Sequence, residues 1–442
     1  MADPLSNRQG ALFALVGLFV LAYLVLTAKE YVASVYAAHA ELPQLERSAQ
    51  LSPGNADYRQ RLGRYFAFVA GEPQLAIDSL QNAVWLNPYN ARYWLDLAAA
   101  YQVTGNTGGQ RSALERALRA EPTAPDVAWE AANFFLIDGD VERALHEFRV
   151  VIANDNSLVD ASLRACWRTM PDTDVLLREA VPPRADSLIA FLHLLMSRQE
   201  VDGTIKTWER LMQLHQKFDS RYLFEYVRYL IAMRRPEAAM SAWEQSADIM
   251  GLSAYLPTDD NLIVNGNFGL DILNGGFDWT YVDRVGVKPI LDPSAFHQGQ
   301  RSLFLTFEGP GINDAGVAQL VPVQGAKNYD FSAYYKSAEF EGAGGPQIVL
   351  HDAYSGAILF ASQSLTDADF WKEVHSTITV PSSTKLIVLN IERSPAGSPI
   401  RGKLWLDDFK LSPEDTSDDP PASSKENANT NSHRDSNSGD SR

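Results

Sequence analysis

Between Leu62 and Asn156 the chain repeats itself with a period of 34 residues, and this period restricts the fold more than any other feature. Gly71, Gly105 and Gly139 stand one period apart, as do Leu80, Leu114 and Phe148, and Ala83, Ala117 and Val151. Tyr101 pairs with Phe135, and Pro88 and Pro122 form a further column in which Asn156 takes the third place. A fixed period of this length predicts stacked helix-turn-helix units, because one such unit cannot bury its apolar face alone. Small residues at Ala76, Ala83, Ala117 and Ala144 allow close helix approach, aromatic residues fill the gaps between pairs, and Gly at the turn accepts the left-handed conformation that ends a helix. Leu62, Gly63 and Phe66 keep their mutual spacing but lie one place early, which predicts an extra residue in the turn before Gly71.

In this register the chain resembles the tetratricopeptide repeat (TPR) family. Trp94, Leu97, Ala98 and Tyr101 match the first helix of that motif, Gly105 its turn, and Ala117 and Pro122 the end of its second helix. Gln110 departs from the motif where it has Ala. The resemblance implies a solenoid over residues 57–257 whose concave face binds a protein or peptide partner. After Asp160 the register decays but helical spacing continues, with Ser187–Arg198 paired to Thr204–His215 and Tyr222–Met233 to Pro236–Met250. Pro171, Pro182 and Pro183 make the segment between Met170 and Arg184 the expected hinge. The stretch Gly105–Ser112 lacks the Gly-Lys-Ser/Thr ending of a phosphate loop and follows a helix, so no nucleotide is expected there.

Before the repeats, residues 11–28 carry no charge and lie between Arg8 and Lys29, long enough to cross a bilayer. One transmembrane helix is predicted, with residues 1–10 as a short cytoplasmic N-terminus and 29–56 as a lead-in helix that extends it directly and is kinked at Pro43. A cleaved signal peptide is the competing reading, since Ala38-His39-Ala40 has the small-x-small form, but that site stands well past the apolar run. The flanking charge leans toward a cytoplasmic N-terminus with the bulk of the chain extracytoplasmic, periplasmic in a Gram-negative bacterium. The net charge of −17 is spread along the chain without a basic stripe, which disfavours nucleic acid. The single Cys166 forms no intramolecular disulfide and, beside Ala165 and Trp167, is expected in the core.

Near Pro257 helical spacing gives way to short runs rich in Val, Ile, Tyr and Phe. Strands are predicted at Asn261–Val264, Phe277–Tyr281, Ser302–Phe307, Gly316–Val323, Tyr329–Ser337, Gln347–His351, Ile358–Ala361, Trp371–Val380, Lys385–Arg393 and Lys403–Leu411, a jelly-roll sandwich over residues 258–412. Residues 413–442 lack large apolar side chains and are expected to be a disordered tail. The fold class is therefore multidomain: an N-terminal transmembrane helix, an all-α TPR-like solenoid, an all-β jelly roll and a disordered tail.

Asn261-Leu-Ile-Val-Asn-Gly-Asn-Phe268, then Trp279, Gln319, Tyr329, Ser332 and Trp371, and the closing Leu404-Trp-Leu-Asp-Asp-Phe-Lys-Leu411, resemble carbohydrate-binding modules of the galactose-binding-like class. The resemblance implies an aromatic sugar platform, for which Trp279, Tyr281, Tyr334 and Trp371 are the candidates, with Tyr335 and Tyr354 as further aromatics and Trp405 assigned to packing. It also implies a structural calcium between an acidic residue after Asn-Gly-x-Phe and an Asp of the last strand. Gly269 occupies the first place and Asp407 the second, so Asn265 or Asp271 has to supply the missing oxygen. Strand alternation sets Asp407 and Asp408 on opposite faces, against a glycosidase pair. No metal-binding helix motif, nucleophile elbow or nucleotide fingerprint is present, so the expectation is a non-enzymatic, membrane-anchored scaffold that binds a protein through its repeats and a glycan through its sandwich, as in surface polysaccharide assembly or export. The alternatives are a glycan-processing enzyme or its accessory subunit, and a protein scaffold whose sandwich is purely structural.

Overall fold

The structure, a computed structural model, describes residues 4–414. Residues 1–3 of the N-terminal segment and 415–442 of the tail lie outside the described residues. The first element is a single helix, α1 (Pro4–Ala37), whose segment Leu12–Ala37 is long and apolar enough to cross a membrane or to act as a signal sequence. The start of the 29–56 lead-in continues the apolar helix without a break. The helix starts before residue 11, and the lead-in is split between the end of α1 and α2 (Leu42–Leu51). Pro43 lies in the first turn of α2, where its missing N–H costs nothing, and makes no kink. Every side chain from Leu12 to Val32 is exposed, and Ala33 is the first buried one, where the following helices pack against α1.

The repeats form helix pairs: α3 (Ala56–Tyr65) with α4 (Pro73–Leu86), α5 (Ala91–Val103) with α6 (Thr107–Ala120), and α7 (Pro125–Ile137) with α8 (Val141–Asn154). They are followed by α9 (Val159–Thr169), α10 (Thr173–Glu179), α11 (Ala185–Arg198), α12 (Val201–Met212), α13 (Ser220–Ala232) and α14 (Pro236–Met250). The motif columns are the core of the pairs: Trp94, Leu97, Ala98 and Ala117 are buried, Tyr101 partly so, and Gly71, Gly105 and Gly139 have φ of 70°, 70° and 82°. Pro122 follows α6 in the exposed turn before α7. The extra residue of the first repeat is taken up by a π-helical turn, Phe66–Ala70, closed by Gly71 N–H on Phe66 O, which is how one surplus residue fits without breaking the helix. The expected hinge between Met170 and Arg184 instead contains α10. Asp172, whose side chain accepts from Val175 N at 3.0 Å, starts that helix, a cap signal outweighed in the sequence by the prolines. Cys166 is fully buried, and burial pushes its thiol up to about 12.

The described residues divide into two compact units at the Glu225–Tyr226 bond. The second unit holds α14 and ten strands: β1 (Thr280–Tyr281), β2 (Val287–Asp292), β3 (Ser302–Gly311), β4 (Asp314–Pro322), β5 (Asn328–Glu341), β6 (Gly345–Asp352), β7 (Ile358–Ala361), β8 (Lys372–Thr379), β9 (Leu386–Ser394) and β10 (Pro399–Pro413). They pair as two five-stranded antiparallel sheets, β1-β4-β9-β6-β7 and β2-β3-β10-β5-β8, with the apolar core between them. Asn261–Val264 is not a strand, and β2 replaces it in the count. The proline inside Val287–Asp292 masks β2 in the sequence, yet Pro289 is tolerated because β2 is an edge strand.

The change of periodicity at residue 257 is not where packing changes. Trp243 of α14 is 1% exposed and meets Phe277 edge-on at 6.1 Å, and Gly276 passes so close that a Cβ there would lie 2.1 Å from the Trp243 ring. Glu237 of α14 forms an ion pair with Lys385, so the last helix is part of the sandwich unit.

Candidate functional site

The opening motif of the sandwich is a clasp on its closing strand. Asn261 donates through Nδ2 to Phe409 O at 3.0 Å and accepts through Oδ1 from Leu411 N at 3.0 Å. Gly266 is required by close approach, since a Cβ there would stand 2.1 Å from Phe409 O. Phe268 then turns inward, with Trp279 and Phe409 at 5.1 and 6.0 Å. Trp279 is 0% exposed and its Nε1 donates to Asn265 O at 3.1 Å. It is a core residue and not a sugar platform, because the Phe268 and Phe409 rings pack against the indole and Asn265 O takes its N–H.

Strand β10 carries the second organising feature. Asp407 is in register with Tyr334 and Lys410 with Ser332, so two residues, Asp408 and Phe409, stand where one belongs, and Asp408 has φ +49°. This bulge overturns the alternation expected for Asp407 and Asp408. Both carboxylates hold the segment after β2: Asp407 Oδ2 accepts from the backbone N–H of His297 at 2.7 Å and of Gln298 at 3.2 Å, and Asp408 Oδ2 pairs with His297 Nδ1 at 2.6 Å. Burial, followed by the neighbouring Asp408 charge, pushes the Asp407 carboxyl up to about 6, against the lowering effect of the backbone N–H groups.

The His297 ring, so held, stacks on Tyr334 at 3.8 Å and 11°, with Trp371 at 5.8 Å. Tyr334 does face outward, opposite to Phe331 and Ala333. Its ring is nevertheless covered on one side by His297. Trp371 is partly exposed beside Phe370, which is 83% exposed. Tyr281 is 42% exposed but lies on β1 of the other sheet, away from these rings. The structure therefore brings together two of the four aromatic candidates. Trp405 is packed between Phe304, at 4.6 Å, and Lys336, and its Nε1 donates to Asp292 at 2.8 Å. Next to Tyr334 opens a cleft of about 450 Å³ whose lining includes Asn267, Gln298, Ser332, Tyr334, Asp408 and Lys410, a mixture of amide, hydroxyl, carboxylate and ammonium groups beside the tyrosine ring. His297 and Gln298 escaped the sequence reading because they lie in an irregular segment, and only the register of β10 brings them to the face.

The residues do not fit a calcium ion. The Asn265 side chain closes its own turn, accepting from Leu270 N at 2.9 Å and donating to Leu270 O at 3.1 Å. Asp407 faces N–H donors. Three further oxygens at the opening turn are taken by Arg301, whose Nε donates to Phe268 O at 2.7 Å and whose Nη2 meets Gly269 O at 3.2 Å and Asp271 at 2.9 Å. A guanidinium thus stands among the carbonyl and carboxylate oxygens that a hard cation needs. Among the described residues no group of three or more His, Cys, Asp or Glu converges.

In the first unit, α5 and α7 line a cavity of about 270 Å³ with Arg92, Asp96, Ala99, Asp126, Trp129 and Glu130. Asp96 is buried and paired with Arg64 of α3 at 3.0 Å, whereas Asp126 and Glu130 are exposed. Arg92 and Asp126, Leu95 and Trp129, and Asp96 and Glu130 are each one period apart, so one face of the first helices meets along successive repeats.

No family model and no curated protein matches the chain. Solved structures with similar parts include tetratricopeptide-repeat proteins and carbohydrate-binding modules. A structure described as "CBM4 structure and function" is 17% identical over 34% of this chain and 99% of its own, with a TM-score of 0.26. MamA is 14% identical over 40% of this chain and 94% of its own, with a TM-score of 0.31. YrrB, described as a TPR protein with an unusual peptide-binding site, is 12% identical over 48% of this chain and 94% of its own, with a TM-score of 0.26. At these values the likeness identifies neither ligand nor partner.

Proposed function

We propose that the protein is a membrane-anchored adaptor: α1 holds it in a bilayer, the face of α5 and α7 takes a polypeptide, and the cleft beside Tyr334 takes a saccharide. The observation that carries this reading is the uncovered apolar helix that runs directly into the repeats, since α1 is exposed on all sides from Leu12 to Val32 and a buried core helix would not be. An extracytoplasmic location of everything after Lys29, and a place in surface polysaccharide assembly or export, follow from this reading together with the mixed polar and aromatic cleft. Its action is recognition and not bond cleavage.

The saccharide part is tested by titrating the detergent-solubilised full chain against a panel of oligosaccharides. Binding that falls about tenfold in Gln298→Ala and Lys410→Ala, both lining the cleft, with the far-UV spectrum unchanged, supports it. Absence of any binding favours a structural sandwich, and release of shortened products favours an enzyme. A cytoplasm-only reporter fused after Ser412 is expected to stay silent, and activity there refutes the orientation.

A further inference from the structure

A cleft of about 650 Å³ is lined on one side by Leu26, Lys29 and Glu30 of α1 and on the other by the turn after α2 and by Leu86 and Asn87 at the end of α4. Ser52 of that first turn donates its hydroxyl to Glu30. Leu86 and Asn87 of the second turn share the cleft with Lys29, where the uncharged run of α1 ends. The residues flanking that turn are Trp85, 80% exposed, and Tyr89, 83% exposed. Of the nine tryptophans, Trp85 is the one that stands fully out of the protein. The repeat supplies an internal comparison: one period on, the same places hold Arg119 and Thr123, and two periods on, Ala153 and Ser157. Large aromatic residues therefore flank the inter-repeat turn beside α1 and are absent from its two equivalents.

Trp and Tyr are the side chains that settle at the boundary between hydrocarbon and headgroups, where the ring is sheltered and the N–H or O–H stays wet. Residues 11–28 of α1 measure about 27 Å along the helix axis, the thickness of a hydrocarbon core, so Lys29 marks the boundary and the cleft opens upon it. We infer that Trp85 and Tyr89 insert into the headgroup layer of the bilayer that α1 spans, a second point of contact that fixes the tilt of the first repeats on the membrane surface. This inference rests on the anchoring reading.

The test uses the full chain reconstituted in vesicles of phosphatidylcholine and phosphatidylglycerol, with and without lipid brominated near the carboxyl end of its acyl chain. The expected result is that the chain floats with the vesicles and loses about one ninth of its tryptophan emission to the brominated lipid, and that Trp85→Phe floats equally but abolishes that loss. Equal quenching of wild type and Trp85→Phe, both floating, overturns the contact and leaves the anchor intact. Recovery of quenching in the double variant Trp85→Phe, Arg119→Trp also overturns it, because the contact would then belong to the flank of the repeats in general. A chain that does not float overturns the anchor and the contact together.

Discussion

Asp407 gives the sharpest quantitative test of the site. Its carboxyl is 0% exposed and is raised from 3.8 to about 6, with burial the leading cause. A raised carboxyl favours the protonated folded form, so its contribution to stability is fully present below about pH 4 and is lost as pH rises through about 6. At about 1.4 kcal/mol per unit, the loss amounts to about 3 kcal/mol. Asp407→Asn keeps an oxygen for the His297 and Gln298 N–H groups but turns an amide toward Asp408 N, which Asp407 Oδ1 accepts at 2.9 Å. That mismatch costs about 1–3 kcal/mol at every pH. The variant is therefore expected to be less stable than wild type at pH 4 and to draw level or overtake it by pH 7. Urea unfolding of the solubilised full chain, with the sandwich transition followed by near-UV circular dichroism at each pH, measures the difference. A gap between the two proteins that stays constant with pH, or widens as pH rises, refutes the assignment of the raised carboxyl to Asp407.

Three further outcomes follow from the packing. Arg301→Met leaves the Phe268 and Gly269 carbonyls without their cation and is expected to cost about 2–4 kcal/mol, while a calcium chelator leaves the wild-type melting temperature unchanged; a chelator-induced drop contradicts the arginine-filled turn. Gly276→Ala places a Cβ at φ +66° against Trp243 and is expected to destabilise the sandwich unit by more than about 3 kcal/mol, measured by thermal unfolding; a neutral result shows that α14 does not pack as described. Gly63→Ala sets two effects against each other: helix propensity gains about 1 kcal/mol, while a Cβ at 2.6 Å from Leu80 Cγ costs about 1–3 kcal/mol. The net effect is a loss, and a higher melting temperature would show that the α3–α4 contact gives way.

The parts of this protein legible in its sequence are those where the same physics recurs. The turn glycines and buried small residues of the repeats announce themselves because each pair solves one packing problem, and even the displaced Leu62, Gly63 and Phe66 pointed to the surplus residue that the π turn absorbs. Pro289 hid β2, since nothing local distinguishes an edge strand from a loop. The bulge at Asp407 and Asp408 hid the site itself. Strand alternation assumes one residue per partner, and only the pairing with Tyr334 and Ser332 shows where that count breaks. Trp279 was misjudged for the opposite reason: an aromatic residue near a loop looks available until its neighbours Phe268 and Phe409 are placed around it.

A periodic chain carries a second message in the columns that fail to repeat. Positions that pack must recur, so Ala83 and Ala117, or Gly105 and Gly139, are constrained by their equivalents. Positions that meet something outside the array have no such obligation. Trp85 and Tyr89 opposite Arg119 and Thr123 break the column chemistry, whereas the break at Arg92 and Asp126 is accounted for within the array, where the two side chains pair at 3.8 Å. Trp85 and Tyr89 are exposed, so packing within the array does not require them. The break at Trp85 and Tyr89 flanks the turn that shares a cleft with the end of the apolar helix, the place where we propose that the repeats meet the bilayer.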